Sequence, residues 1–223
     1  MRLIARLVAS TACLALLVAF APTAAAQQSP ADRVAAIDQW LAHSKARLKG
    51  YQWMQTTVVT LKGDVKSTKV SRCYYDATGT LQKEPVSASP ALENERDLTD
   101  TTQKAVALVK TYVPPNPLKL QARKDAGKVS LDSAPGGRNI RVNFHDYEVP
   151  GDNLSVTMDP ATNRLLGLDV ATYLDDPKDA VTLSVTIGSL PDGTEYPTVI
   201  TLNTASKELT VTATNSGYRK AGN

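Results

Sequence analysis

Leu154-Ser-Val-Thr-Met158, Leu166-Gly-Leu-Asp-Val170 and Val181-Thr-Leu-Ser-Val-Thr-Ile187 form the stretch that decides the fold. In each, apolar residues alternate with small polar ones, as half-buried antiparallel strands require, because successive side chains point to opposite faces. The punctuation agrees. Asp159-Pro-Ala-Thr-Asn163 and Pro191-Asp192-Gly193 supply turn residues, and Tyr196–Asn203 and Leu209–Thr214 continue the pattern. The reading is a β-meander with one apolar face and one hydroxyl-rich face.

Working outward, Ile140, Val142 and Phe144 alternate with Arg141 and Asn143, which predicts a strand just before the meander. Weaker strand patterns lie at Leu118–Ala122 and Lys128–Leu131. Upstream, Tyr51–Leu61 and Val65–Tyr75 flank the tight turn Lys62-Gly63-Asp64, and Asp76-Ala-Thr-Gly79 turns into Thr80–Val86. Two helices are predicted. Ser29-Pro30-Ala31-Asp32 is a cap, a first-turn proline and a first-turn acid, followed by Val34, Ile37, Trp40, Leu41 and Leu48 at helical spacing up to Gly50. Thr99 or Asp100 caps a second, through Ala105, Val106, Leu108, Val109, Tyr112 and Val113, ended by Pro114-Pro115. Ser87–Glu95, rich in Ser, Pro, Ala and acids, reads as a loop.

The first 26 residues read as a signal peptide: Arg2 and Arg6, an apolar run from Leu7 to Ala21, then Ala24-Ala25-Ala26 before the expected cleavage. The expectation is an exported, periplasmic protein with one domain over residues 27–223 and no membrane span after cleavage. A lipoprotein acylated at Cys13 is the lesser alternative, because Ser10 stands where such a signal carries leucine. The whole chain has 25 basic and 22 acidic side chains. Without Arg2 and Arg6 the balance is 23 − 22 = +1, with no basic patch to serve nucleic acid. Only Cys73 remains after cleavage, so an intrachain disulfide is excluded and stability rests on packing.

Chemistry finds little support in the residues. A nucleophilic triad needs a positioned base; His43 sits among Lys45, Arg47 and Lys49 on a helix, and Asp146 follows His145 directly, which on a strand puts the two on opposite faces. No Gly-x-Ser-x-Gly elbow is present. Asp146, Glu148 and Asp152 lack the spacing of a calcium loop, and two histidines and one cysteine set far apart do not make a zinc site. No cofactor and no enzymatic activity are expected.

About eight to eleven strands at about 4.8 Å each make a sheet far wider than two helices of about 10 Å can cover. The expected architecture is therefore α+β: a curved antiparallel sheet, a half-barrel, with two amphipathic helices over its concave face. The order of signal peptide, long first helix, strands, helical interruption and long antiparallel return resembles the half-barrel of periplasmic lipoprotein carriers, the LolA/LolB-like group. Thr172-Tyr-Leu-Asp-Asp-Pro-Lys-Asp-Ala-Val-Thr-Leu183, Ser189-Leu-Pro-Asp-Gly-Thr-Glu-Tyr-Pro197 and the terminal Thr214-Asn-Ser-Gly-Tyr218 are similar to a family of uncharacterised exported proteins of Gram-negative bacteria.

Area and resemblance together imply a carrier for a lipid, acyl chain or lipoprotein. The expected ligand lining is Trp53, Val59, Phe144, Leu166, Leu168, Val170, Val185 and Ile187, although each of these residues also suits an ordinary core. The alternative is a dry-cored interaction or regulatory module that binds an envelope protein through an exposed strand edge.

Overall fold

The computed structural model describes residues 29–89 and 96–221. The expected signal peptide and cleavage point, Cys13 and most of the Ser87–Glu95 loop lie outside them. Ten strands form one antiparallel sheet in the order β3-β2-β1-β10-β9-β8-β7-β6-β5-β4. The first three are β1 (Tyr51–Leu61), β2 (Asp64–Tyr75) and β3 (Leu81–Ala88). β4 (Val129–Ser133), β5 (Ile140–His145), β6 (Asn153–Met158) and β7 (Leu165–Tyr173) follow. β8 (Ala180–Ser189), β9 (Glu195–Thr204) and β10 (Leu209–Lys220) complete the sheet.

The topology explains why the sheet is open. After the β1–β3 meander, the chain crosses from one edge strand to the other and starts a second meander at β4. This returns strand by strand until β10 pairs with β1 over ten residue pairs, from Tyr51 with Lys220 to Leu61 with Leu209. β3 and β4 are left as free edges. Register irregularities between Gln52 and Met54, Val59 and Thr60, Val70 and Ser71, Thr157 and Met158, and Thr186 and Ile187 bend the strands. Such bulges raise local twist and help a wide sheet curl.

Among the described residues the helices are three, not two: α1 (Pro30–Leu48), α2 (Arg96–Val109) and α3 (Pro117–Asp125). α1 starts as its sequence predicts, with a full capping box between Ser29 and Asp32 and proline in the first turn. α2 begins before Thr99 and ends at Val109, while Tyr112 lies beyond it in a turn and is fully buried. The expected strand over Leu118–Ala122 is instead α3. Its signature is the same as that of α1: Asn116 accepts from the Leu118 N–H, and proline occupies the first turn. Leu120 is the one side chain of α3 that is buried, at 0% exposure.

The apolar face of the meander and the helices meet in one core. Val34 and Ile37 from α1, Ala105 and Val109 from α2, and Leu120 from α3 pack over Phe144, Leu154, Val156, Leu168, Val170, Leu183 and Val185. The hydroxyl-rich face of the meander turns outward. Thr182 and Ser184 are exposed beside the buried Val181, Leu183 and Val185, as the alternation demands.

A buried polar knot ties the crossover to the meander. The Tyr112 hydroxyl donates to Asp152 Oδ2 at 2.5 Å and lies 2.8 Å from Thr172 Oγ1. The same carboxylate oxygen accepts the backbone N–H groups of Glu148 and Val149. Burial beside this carboxylate pushes the Tyr112 hydroxyl well above its ordinary pKa. Tyr112→Phe leaves Asp152 and Thr172 short of a partner, and the expected cost is about 1–3 kcal/mol in urea unfolding. A midpoint unchanged from the parent protein counts against this role.

Candidate functional site

The inner face of the sheet divides into two halves. The principal helix–sheet contacts fall on β4 and β9 from α1, β9 from α2 and β5 from α3. Beneath them the inward side chains are packed: Phe144 is 0%, Val170 2%, Leu168 5% and Val185 5% exposed. Ile187 is partly buried against this core. Thus five of the residues expected to line a ligand site lie on the roofed half, covered by the protein's own helices. Leu166 stands apart. At the irregularity between Thr157 and Met158, Leu165 pairs with Met158 and takes the core position at 1% exposure, while Leu166 is half-buried.

Trp53 and Val59 lie on the other half, formed by β2, β1 and β10. Among the described residues, none of the principal helix contacts reaches it. Register places Val59 opposite Val211, Leu61 opposite Leu209 and Thr57 opposite Ala213, and Ala213 in turn pairs with Ile200. Val59, Leu61, Val211, Ala213 and Ile200 are each only partly buried. Val106 and Leu108 of α2, with Ile200 and Val211 of the sheet, are half-buried at the margin of the core. The result is an apolar strip between the α2 margin and the uncovered wing.

Toward the other end of β1 the same face becomes polar and aromatic. Asn215 Oδ1 accepts from Trp53 Nε1 at 3.2 Å and from Gln55 Nε2 at 2.9 Å, while its Nδ2 donates to the Pro197 carbonyl. Lys83 Nζ donates to Gln55 Oε1 at 2.8 Å. Trp53 stacks on Tyr218 with ring centroids 5.3 Å apart, and Tyr196 meets Tyr218 at 4.2 Å. Burial lifts the Tyr218 hydroxyl far above its ordinary pKa, and its oxygen is buried with no hydrogen-bond partner. Cys73 opposes Trp53 across the β1–β2 pair, and burial pushes its thiol up, which keeps it a protonated, inert group.

A second concavity closes the opposite margin of α1. A cavity of ≈ 330 Å³ lies between Trp40, Ser44 and Arg47 of α1 and two turns, the β6–β7 turn with Asn163 and Arg164 and the β8–β9 turn with Gly193 and Glu195. Trp40 Nε1 donates to Glu195 Oε2, and Arg164 Nε donates to Glu195 Oε1 at 3.2 Å. Sequence reasoning missed this site because its walls come from segments more than a hundred residues apart. Each reads locally as a helix flank or a solvated turn.

His145 Nε2 lies 3.0 Å from Ser130 Oγ on the exposed outer face. Asp146 instead accepts from Lys128 Nζ and the Gly151 N–H, so no carboxylate orients the imidazole. Among the described residues no group of three or more His, Cys, Asp or Glu side chains is arranged to hold a metal ion.

The chain aligns with several solved structures. A DUF1329 family protein from Desulfovibrio piger is 9% identical over 86% of this chain and 92% of its own, with a TM-score of 0.42. An outer membrane lipoprotein-sorting protein domain from Vibrio parahaemolyticus is 9% identical over 87% and 94%, with a TM-score of 0.43. A LolA superfamily protein from Nitrosomonas europaea is 11% identical over 84% and 94%, with a TM-score of 0.45. LolA-type and lipoprotein-sorting proteins are thus among its structural neighbours. All three scores fall below one half, so no argument about activity is drawn from them. No protein-family model matches the chain, and no curated protein does.

At the edge of the cavity, the Tyr51 hydroxyl and the Thr194 N–H hold Asp192 at a pKa of about 2, against an ordinary 3.8. A depressed folded-state pKa means that this contact stabilises the protein above the ordinary carboxylate pKa and is lost as pH falls toward the folded value. Asp192→Asn is expected to lower Tm at neutral pH and to flatten the decline of Tm between about pH 4 and pH 2. Parallel Tm–pH curves for the two proteins rule the contact out as a source of acid sensitivity.

Proposed function

We propose that this chain is a soluble periplasmic binding protein, released by cleavage after Ala26 as one domain, that carries a lipid, an acyl chain or a lipid-modified polypeptide. The observation that supports this reading is the division of the inner face. The helices fill the β4–β9 half with side chains, whereas the strip formed by Val59, Leu61, Val211, Ala213 and Ile200 is left half-covered beside α2. Apolar area held partly in water is costly, at about 25 cal/mol per Å², so an apolar chain laid along the strip gains what the protein has not already gained for itself. Trp53, only 7% exposed and stacked on Tyr218, closes the far end of the strip with rigid aromatic rings. On this reading Phe144, Leu168, Val170, Val185 and Ile187 lie beside the strip under the helices and line the ligand only when the helices lift. Among the described residues no helix is long and apolar enough to cross a membrane.

Displacement of a fluorescent fatty acid tests the proposal. Val59→Asp sets a charge in the strip at a half-buried residue that is not packed against the roofed core, and it is expected to weaken binding by at least about tenfold, the equivalent of about 1.4 kcal/mol. Tm should stay within a few degrees of the parent. If the parent protein takes up no fatty acid, and its native mass is the same before and after solvent extraction, the carrier reading fails.

A second reading has its own observation. On the uncovered wing, Val65, Val86 and Leu81 are 64%, 62% and 40% exposed, and β3 is a free edge. A partner strand added there would pair with the main chain of β3. In that case proline at Val86 abolishes crosslinking to an envelope protein in cells and leaves fatty-acid binding intact.

A further inference from the structure

The cavity beside α1 has arginine and asparagine donors on its wall and a single carboxylate, Glu195. Arg33 is only 5% exposed, and its guanidinium Nη1 donates to Asn163 Oδ1. Because arginine only donates, this bond fixes the orientation of the Asn163 amide: its oxygen is taken and its N–H₂ remains for whatever enters the cavity. Asn163 is held in this place by its left-handed backbone, φ 58°, in the β6–β7 turn. Arg33 Nε is buried without a hydrogen-bond partner, so its charge is only partly compensated. The acid beside it in sequence, Asp32, is spent on the Ser29 cap.

The remaining charges point the same way. Glu195 is the carboxylate on the wall, and each of its oxygens already accepts from the protein, one from Trp40 and one from Arg164. Asp192 nearby is engaged by Tyr51. Arg47 forms no side-chain hydrogen bond or ion pair among the described residues. Its Nη1 would stand 3.8 Å from a Cβ at Gly193, a position whose φ of +79° and missing side chain keep that wall open. His43 lines the same rim. Two guanidinium groups, Arg47 and Arg164, line the cavity and Arg33 stands behind Asn163, against one lining carboxylate that is already satisfied. Guanidinium and amide donors converging on a partly enclosed space suit phosphate, which accepts several charge-assisted bonds at once.

We propose that this cavity binds a compact phosphate-bearing group, with Arg47 and the Asn163 amide as the donors that contact it and Arg33 as the residue that positions Asn163. The volume, ≈ 330 Å³, leaves room for the small moiety that carries the phosphate. The site is separate from the apolar strip, and it stands whether or not the strip is filled. The phosphate belongs either to a free small molecule or to a lipid headgroup.

Trp40 is its reporter. The chain has two tryptophans, so Trp53→Phe leaves Trp40 as the single fluorophore. In that background, inorganic phosphate and short-chain dihexanoyl phosphatidate are titrated against the Trp40 emission, with the uncharged dihexanoyl glycerol as control. A saturable change with both phosphates supports the site and a free anion; a change with phosphatidate alone supports the site and a lipid headgroup. Asn163→Asp keeps the acceptor that Arg33 needs but replaces the presented donor with an oxygen. It is expected to hold or raise Tm and to weaken phosphate or phosphatidate binding by at least about tenfold, as is Arg47→Glu on the exposed rim. The proposal is overturned if neither phosphate changes the emission, if dihexanoyl glycerol binds as well as phosphatidate, or if Asn163→Asp binds like the parent.

Discussion

A ten-stranded antiparallel sheet with one apolar face has to keep that face from water, and the rest of the molecule follows from how this is done. Flat, the sheet is about 48 Å wide at about 4.8 Å per strand, several times the width of a helix. The chain meets the demand in two ways. Bulges in β2, β3, β7, β9 and β10 bend the strands, and the crossover from β3 to β4, two opposite edges, carries α2 and α3 over the inner face. α1 then closes one margin against the turns. With Tyr112 pinned to Asp152 at the end of the crossover, the roof sits over the β4–β9 half and stops there.

That asymmetry gives the two halves different characters. Under the roof the packing is that of an ordinary core: Phe144, Leu154 and Val156 are fully buried. On the other wing the inward positions grade from the half-buried Leu61 and Val59 to the buried Gln55 and Asn215, and then to Trp53 against Tyr75 and Tyr218. α1 contributes to both sides of the molecule. Its Val34 and Ile37 enter the core, while its Trp40 and Arg47 border a cavity and its Arg33 bonds Asn163 on the far wall.

Much of the fold is legible along the chain because periodicity is a local property. The alternation of Val181, Leu183, Val185 and Ile187 announces both a strand and which face it buries, and Ser29-Pro30 announces a helix start. α3 was equally legible. Asn116-Pro117 repeats the cap-and-proline signature, yet the preceding Pro114-Pro115 reads as a terminator and the short apolar run after it as a strand. Leu165 in place of Leu166 was not legible, since a bulge shifts which residue faces inward and its position depends on the neighbouring strand. The expected lining set mixes the two halves of the inner face for a related reason: alternation tells which way a side chain points but not what stands above it.

The amino-acid sequence by itself determined the class of the protein, a curved antiparallel sheet with capped helices. Hydrophobic period and turn residues act within a few residues of chain. Only the tertiary structure decided which half of the inner face lies under helices and which stays open. It alone brought Arg33 to Asn163 across 130 residues of chain. Neither outcome is written locally, because roof placement and cavity walls depend on which distant strands become neighbours, and that is fixed when the second meander closes back onto β1.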